Sequence, residues 1–427
     1  MVVTKLVASG NTIQAGTYGR GGFQLNDVGT LPTVQFNAAN FTVNEGAGVA
    51  TITLTRTGTT TSNSSVAYAT SDIAGSQNCN VFNGYASSRC DYLTSIGTVS
   101  FAANETSKTI SIPIIDDSYA EGNEFFTITL SNSSGATLGT ISTATVTIID
   151  NDSVTGPNPI DQAGFFVTEH YYDFLNRQPD AGGLAFWINE LSSCGTNQAC
   201  IELKRINVSA SYFLSTEFQQ TGYLVERLYK SAYGDASGAS TLGGAHQVVV
   251  PIARFGEFLP DTQQIGQGLV VGQPGWEAVL ENNKQSFANE FVQRSRFATS
   301  FPTTLTPTAF VDKLNTNAGN VLSAGERSTA IALFSGANDT SNATARAQAL
   351  RQVAENSTLV TNEFNRAFVL MQFFGYLRRD PNTGPDTDYT GYDFWLAKLN
   401  QFNGNFVNAE MVKAFITSVE YRTRFGP

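Results

Sequence analysis

Histidine is nearly absent from this chain, with two in 427 residues, and neither His170 nor His246 lies near a cysteine in sequence. That scarcity leaves little room for a Ser-His-Asp triad or a histidine-ligated zinc site. No Gly-x-Ser-x-Gly, His-Glu-x-x-His or phosphate-loop lysine motif occurs, and the glycine run Gly266–Gly272 has no strand pattern before it, as a nucleotide fold would require. Basic residues are also sparse, 25 Lys and Arg against 36 Asp and Glu, for a net charge of −11. Such a surface repels phosphate backbones and offers no patch for nucleic acid. No uncharged apolar run approaches the ~20 residues that span a bilayer. Met1–Gly10 lacks the basic-then-apolar layout of a signal peptide, which leaves export to a removed leader or another route.

Only four cysteines are present, and they fall as two local pairs, Cys79 with Cys90 and Cys194 with Cys200, each around a polar segment. Two local disulfides and an oxidising, extracytoplasmic compartment are expected. Charged residues make up 14% of the chain and hydrophobic ones 41%, so a core can form beneath a surface rich in Thr, Ser, Asn and Gly. At 427 residues the chain exceeds what one core usually serves, and several domains are expected.

Residues 1–31 alternate loosely and contain no run able to build a core. They are expected to form an extended N-terminal arm, able to donate a strand to a neighbour. From 32 to 152 the pattern is period two: Ala50/Ile52/Leu54, Ile110/Ile112/Ile114, Phe126/Ile128/Leu130 and Val146/Ile148 alternate with Thr, Ser and Asn. Half-buried strands with glycine- and asparagine-rich turns at this spacing predict an immunoglobulin-like β-sandwich. A linker over 153–163 contains Gly156-Pro157-Asn158-Pro159.

Beyond it, 164–427 turns to helical periodicity and repeats itself. Tyr171–Asp180 matches Phe373–Asn382, and Gly183 to Trp187 with Leu191 matches Gly391 to Trp395 with Leu399. Phe213–Phe218 recurs near Phe291–Phe297 and as Ile416–Tyr421. The expected architecture is a mostly α-helical repeat region of stacked units, about 164–220, 221–302 and 303–427. In each hairpin the aromatics are expected to be core, with Pro179 opening the second helix and Phe186, Trp187 and Leu191 packing back on the first. His170, on an aromatic helix face, is expected to be a satisfied core histidine.

Acidic residues of the sandwich gather at strand ends, in Asn44-Glu45-Gly46, Ser71-Asp72, Cys90-Asp91-Tyr92, Asp116-Asp117, Glu121, Glu124 and Asp150-Asn151-Asp152. Loops at one end of a sandwich converge, and carboxylates from several of them can supply the six to eight oxygens that calcium takes.

These segments, with Phe41-Thr42-Val43, Tyr68-Ala69-Thr70, Gly97–Phe101 and Ala144–Ile149, resemble the Calx-beta family over 32–152. The resemblance implies a calcium site with ligands at Glu45, Asp72, Asp116, Asp117, Glu121, Glu124, Asp150 and Asp152. Two departures are an asparagine, Asn151, where an acid is common, and an inserted loop holding Cys79 and Cys90. Together they favour one calcium ion. The helical part resembles a bacterial secreted domain of unknown function marked by Arg-x-Pro-Asp-x-x-Gly-x-x-x-Trp, here Arg177 to Trp187 with a degenerate copy from Arg379 to Trp395. Together these readings describe a secreted or cell-surface bacterial protein without catalytic residues. It would be a self-assembling subunit of a filament, sheath or surface layer, polymerising through the N-terminal arm and helical domain. The alternative is an adhesion or carbohydrate-binding protein that engages surface glycans.

Overall fold

The structure is a computed structural model that describes residues 31–71, 73–74 and 79–427 in full, and the backbone alone of 3–9, 12–17 and 21–26. Nine strands build the sandwich: β4 (Thr33–Phe36), β5 (Asn40–Asn44), β6 (Val49–Thr57), β7 (Ser64–Thr70), β8 (Ile96–Phe101), β9 (Ser107–Pro113), β10 (Glu124–Ser134), β11 (Thr137–Leu138) and β12 (Thr143–Ile149). They follow β1 (Val3–Ser9), β2 (Thr12–Thr17) and β3 (Gly21–Asn26). One sheet runs β5-β12-β10-β7-β8 and the other β11-β4-β6-β9. Alternation places Ile52 and Leu54 of β6, Ile110 and Ile112 of β9, and Ile128 and Leu130 of β10 in the core between them. Tyr92 stacks on Phe126 at 3.9 Å in the same layer. At the end opposite the acidic loops, buried Arg56 donates to the Ser64 hydroxyl and the Ser62 carbonyl.

Instead of a single extended arm, residues 3–9, 12–17 and 21–26 form an antiparallel sheet in the order β1-β2-β3. Val7 lies opposite Gln14, and Ile13 opposite Leu25. Ser9 pairs with Thr12 at the end of the β1–β2 ladder. The central strand β2 is paired on both sides, a local solution that the absence of long apolar runs does not reveal.

The rest of the chain is helical except for the hairpin of β13 (Asp235–Ser240) and β14 (His246–Pro251), which helical periodicity did not predict. Gly243 and Gly244, at φ 72° and 117°, make its connection possible. The expected linker is not free-standing. Pro159–Asp161 forms a 3-10 turn with Ile160 buried, and the Asn158 side chain donates to the carbonyls of Arg422 and Gly426. A single hydrophobic core extends from Ile160 to Phe425 and takes in Leu93 and Ile115 of the sandwich, so the repeat units share one interior.

Both copies of the first repeat contain a π-helical turn, Tyr171–Leu175 and Gln372–Tyr376, each followed by a left-handed residue, Asn176 (φ 53°) and Arg378 (φ 54°). The turns pack on one another, with the Phe174 and Tyr376 rings 5.1 Å apart. A Cβ on Gly375 would lie 2.7 Å from the Phe174 ring, so the approach requires glycine here. Matching ion pairs lock each unit. Arg177 binds Glu217 at 2.7 and 2.8 Å, and Arg379 binds Glu420 at 2.6 and 2.8 Å. Ser215 and Ser418 cap the equivalent short helices.

The hairpin aromatics divide. Trp187 packs 5.8 Å from Tyr212 and Leu191 is buried, but Phe186 is 57% exposed and its counterpart Phe394 is 41% exposed. Asp180, rather than Pro179, opens the helix Ala181–Ser192, accepting from the Gly183 amide at 2.8 Å. His170 is fully buried, with Nδ1 2.6 Å from the Phe166 carbonyl and Nε2 2.8 Å from the Ser209 hydroxyl. Burial pushes its pKa down to about 3, so it stays neutral at ordinary pH. Among the described residues no helix is long and apolar enough to cross a membrane.

Candidate metal centre

The two sheets bring the ends of β5, β9 and β12, the start of β10 and the loop before β8 to one end of the sandwich. Glu45 opens the short 3-10 turn Glu45–Ala47 after β5, Asp116 and Asp117 follow β9, Glu124 begins β10, and Asp150 and Asp152 follow β12. The Cys79–Cys90 disulfide closes the inserted loop immediately before Asp91, and Cys194 pairs with Cys200.

Among the described residues two carboxylate triads result, Glu45/Asp150/Asp152 and Asp91/Asp117/Glu121, each offering oxygens within 4.8 Å of one another. Between them lies a pit lined by Glu45, Asp91, Glu121, Glu124 and Asp150, of about 10 Å³, room for one ion- or water-sized occupant. Glu45, Asp91, Asp117 and Glu124 are buried.

Backbone amides hold part of the cluster in place. Asp117 N–H donates to Glu45 Oε1 at 3.2 Å, Tyr119 N–H to Asp117 Oδ1 at 2.7 Å, and Ser87 N–H to Asp91 Oδ2 at 2.5 Å. Asp150 accepts from Glu121 at 2.9 Å, Gly122 at 2.6 Å and Asp152 at 2.7 Å. Three buried oxygens, Glu45 Oε2, Asp117 Oδ2 and Glu124 Oε1, have no hydrogen-bond partner among the described residues. Buried carboxylate oxygens are ordinarily satisfied, and an all-oxygen donor set with lone pairs left open fits a hard divalent cation.

Electrostatics agree with the geometry. Desolvation, reinforced by Asp116 and Asp150, raises the Glu45 pKa to about 8 against the pull of the Asp117 amide. Burial raises Asp91 to about 6, and burial together with the neighbouring acids raises Glu121 to about 10 and Glu124 to about 9. Asp117 is pushed well up by burial and by Asp91, and Asp152 also rises through desolvation. So many acids held above their ordinary range mark a site that binds either protons or a cation.

Of the eight sequence-predicted ligands, the triads contain Glu45, Asp117, Glu121, Asp150 and Asp152, and Glu124 lines the pit. Asp116 is exposed and outside both triads, where the Asn151 amide donates to it at 3.0 Å. Asp72 lies outside the described residues. Asp91 was missed as a ligand, although its Asp91-Tyr92 pair was one of the matching segments.

Residues 27–152 match the Calx-beta domain family. The N-terminal sandwich is a Calx-beta domain. Among solved structures, the chain is 31% identical to the apo-form Calx CBD1 domain, covering 99% of it and 29% of this chain at a TM-score of 0.25. It is 32% identical to the calcium binding domain CBD12 of CALX1.1, covering 46% of that chain and 28% of this one, again at 0.25. No curated protein matches. The Calx-beta match ends at Asp152 and does not extend into the helical region.

The Calx-beta domain is tied to that region through its candidate metal loops. Ser118 N–H donates to the Phe425 carbonyl at 3.1 Å and the Tyr119 hydroxyl to the Thr423 carbonyl at 3.2 Å. Arg89 pairs with Glu420 at 2.9 Å, and Arg424 Nε donates to the Arg89 carbonyl at 3.0 Å. Arg424 also reaches Asp173 and the Tyr376 carbonyl, both at 3.0 Å, so one buried guanidinium joins the sandwich loop to both π-helical turns.

Proposed function

We propose that this chain is a non-catalytic, calcium-binding extracellular structural protein, a self-assembling subunit of a bacterial filament, sheath or surface layer. The observation that carries the calcium reading is the pair of converged carboxylate triads at the acidic end of the Calx-beta domain, together with three buried oxygens there that have no partner among the described residues. Glu45, Asp150 and Asp152 would hold an ion at one position, and Asp91, Asp117 and Glu121 at the other, with Glu124 between. Bound calcium supplies positive charge that relieves the mutual repulsion of these groups. Calx-beta domains bind calcium, which supports the same choice of ion.

A structural role draws on composition and architecture. The chain is low in charge, two disulfides close short local segments, and the duplicated helical units present repeated faces. Two histidines, one of them neutral in the core, support a non-catalytic reading. The test is light scattering with electron microscopy in millimolar calcium and after chelation. Ordered polymers that loosen on chelation are expected, and a monodisperse monomer in both conditions would overturn the assembly reading.

A secreted adhesion or carbohydrate-binding protein is the second reading. The exposed Phe186 and Phe394 rings beside Trp187 and Trp395 favour it, since aromatic faces stack on sugars. A glycan array probed with parent and Phe186→Ser chain separates the two.

A further inference from the structure

The two helical hairpins present the same aromatic pair to solvent. Phe186 meets Trp187 edge to face at 4.8 Å and 74°, and Phe394 meets Trp395 at 4.9 Å and 79°. Both Phe residues are exposed on the helices Ala181–Ser192 and Thr390–Gln401, and both Trp residues are half-buried beneath them. Repetition of an exposed aromatic at one position of a duplicated unit is not required by folding, because neither ring contributes much to the shared core.

The charges beside these rings are inverted between the copies. Four residues after Phe186 stands Glu190, and four after Phe394 stands Lys398. Glu190 is paired with Lys204 of the next helix at 2.5 Å, whereas Lys398 lies 3.7 Å from Glu410. Lys398 Nζ also sits 5.3 Å from the Trp395 ring centre. One face is therefore an aromatic helix bearing an acid beside a neighbouring base, and the other bears a base beside a neighbouring acid. With the two helices parallel and the Phe rings opposed, either face meeting its own kind would set Glu190 against Glu190 or Lys398 against Lys398. Meeting each other, the faces set Glu190 against Lys398 and Lys204 against Glu410. Exposed ion pairs exchange partners at little cost, and like-charge contacts discriminate between modes of docking.

We propose that the Phe186 face of one chain docks on the Phe394 face of a second copy. Each chain carries one of each, so the contact is heterologous and propagates into a ring or a fibre. The desolvated aromatics supply attraction, as aromatic anchors do in interfaces generally, and the inverted charges set direction. This deepens the self-assembly reading and rests on it.

Cross-linking tests it. Asn189 and Ala397 occupy equivalent exposed positions beside the two faces, and no free cysteine occurs among the described residues. Full-length Asn189→Cys and Ala397→Cys chains are oxidised separately and as a mixture. Mixed disulfide dimers are expected in the mixture, with about tenfold less dimer from either variant alone. Self-cross-linking of each variant as efficient as mixed cross-linking would overturn the proposal in favour of an isologous contact. A second measurement uses charge: Glu190→Lys or Lys398→Glu alone should slow assembly, and the double reversal should restore it. Assembly of the parent that is unaffected by these changes and by Phe186→Ser would place the contact elsewhere and leave the self-assembly reading intact. A parent that stays monomeric, including one that binds oligosaccharide through Phe186, would overturn both.

Discussion

Replacing Glu121 with glutamine should make the metal-free protein more stable and the calcium-loaded protein less so. Glu121 faces Asp91, Asp117, Glu124 and Glu45, and its pKa is raised to about 10, first by desolvation and then by those charges. A glutamate with an ordinary pKa of 4.5 in the unfolded chain and about 10 in the folded one must be protonated on folding at pH 7. That costs about 3 kcal/mol at 1.36 kcal/mol per pH unit. Water reaching this half-buried group reduces the cost to about 1–2 kcal/mol. Because the folded pKa is raised, stability is fully present below pH 4.5 and is lost as pH rises towards 10. The neutral amide of the Glu121→Gln chain would carry no such penalty. Thermal melts in chelator at pH 7 should rise by roughly 3–10 °C for a unit of this size, and the parent's loss of stability from pH 5 to 9 should flatten in the variant. In calcium at about a hundred times its dissociation constant the parent gains about 2.7 kcal/mol, most of which the variant should forgo. A variant that melts below the parent in chelator, or keeps the parent's calcium shift, would refute this reasoning.

Asp91→Asn should weaken calcium binding at least as much as Asp117→Asn, measured by calorimetric titration; an unchanged affinity would remove Asp91 from the site. Gly375→Ala, which drives a Cβ to 2.7 Å from the Phe174 ring, should cost about 1–3 kcal/mol in denaturant unfolding, and a neutral effect would show that the paired π-helical turns can separate freely. Arg424→Ala strands the buried Asp173 and Glu169 and should cost about 3–5 kcal/mol, whereas Arg424→Lys should recover part of it; equal losses would mean that charge is not what the site uses.

Much of the sandwich was legible in sequence because its strands bury one face, and the 2-residue period exposes that directly in β6, β9, β10 and β12. The helical duplication was equally visible, since both copies keep the residues that lock them: the arginine of Arg177–Glu217 and Arg379–Glu420, the glycine, and the tryptophan. Other features carry no such period. The β13–β14 hairpin is short and flanked by helices, and the N-terminal sheet is held by backbone pairing that apolar runs do not report. Exposure of Phe186 depends on which side of its helix the shared core covers, a tertiary fact. Asp91 was visible as an acidic strand-end residue but stood outside the expected ligand set; it follows the inserted loop that the Cys79–Cys90 disulfide closes, and the fold brings it beside Asp117 and Glu121. Asp116 shows the converse: it shares a motif with Asp117, yet it is exposed and accepts from the Asn151 amide, while buried Asp117 joins a triad.

Equilibrium dialysis of the metal-free full-length chain against radiolabelled calcium tests the central claim most directly. Saturable uptake of one or two ions per chain is predicted, one for each carboxylate triad occupied, with the loss of at least one in an Asp117→Asn/Glu121→Gln chain. Absence of saturable uptake at millimolar calcium, or uptake unchanged in that variant, would contradict it.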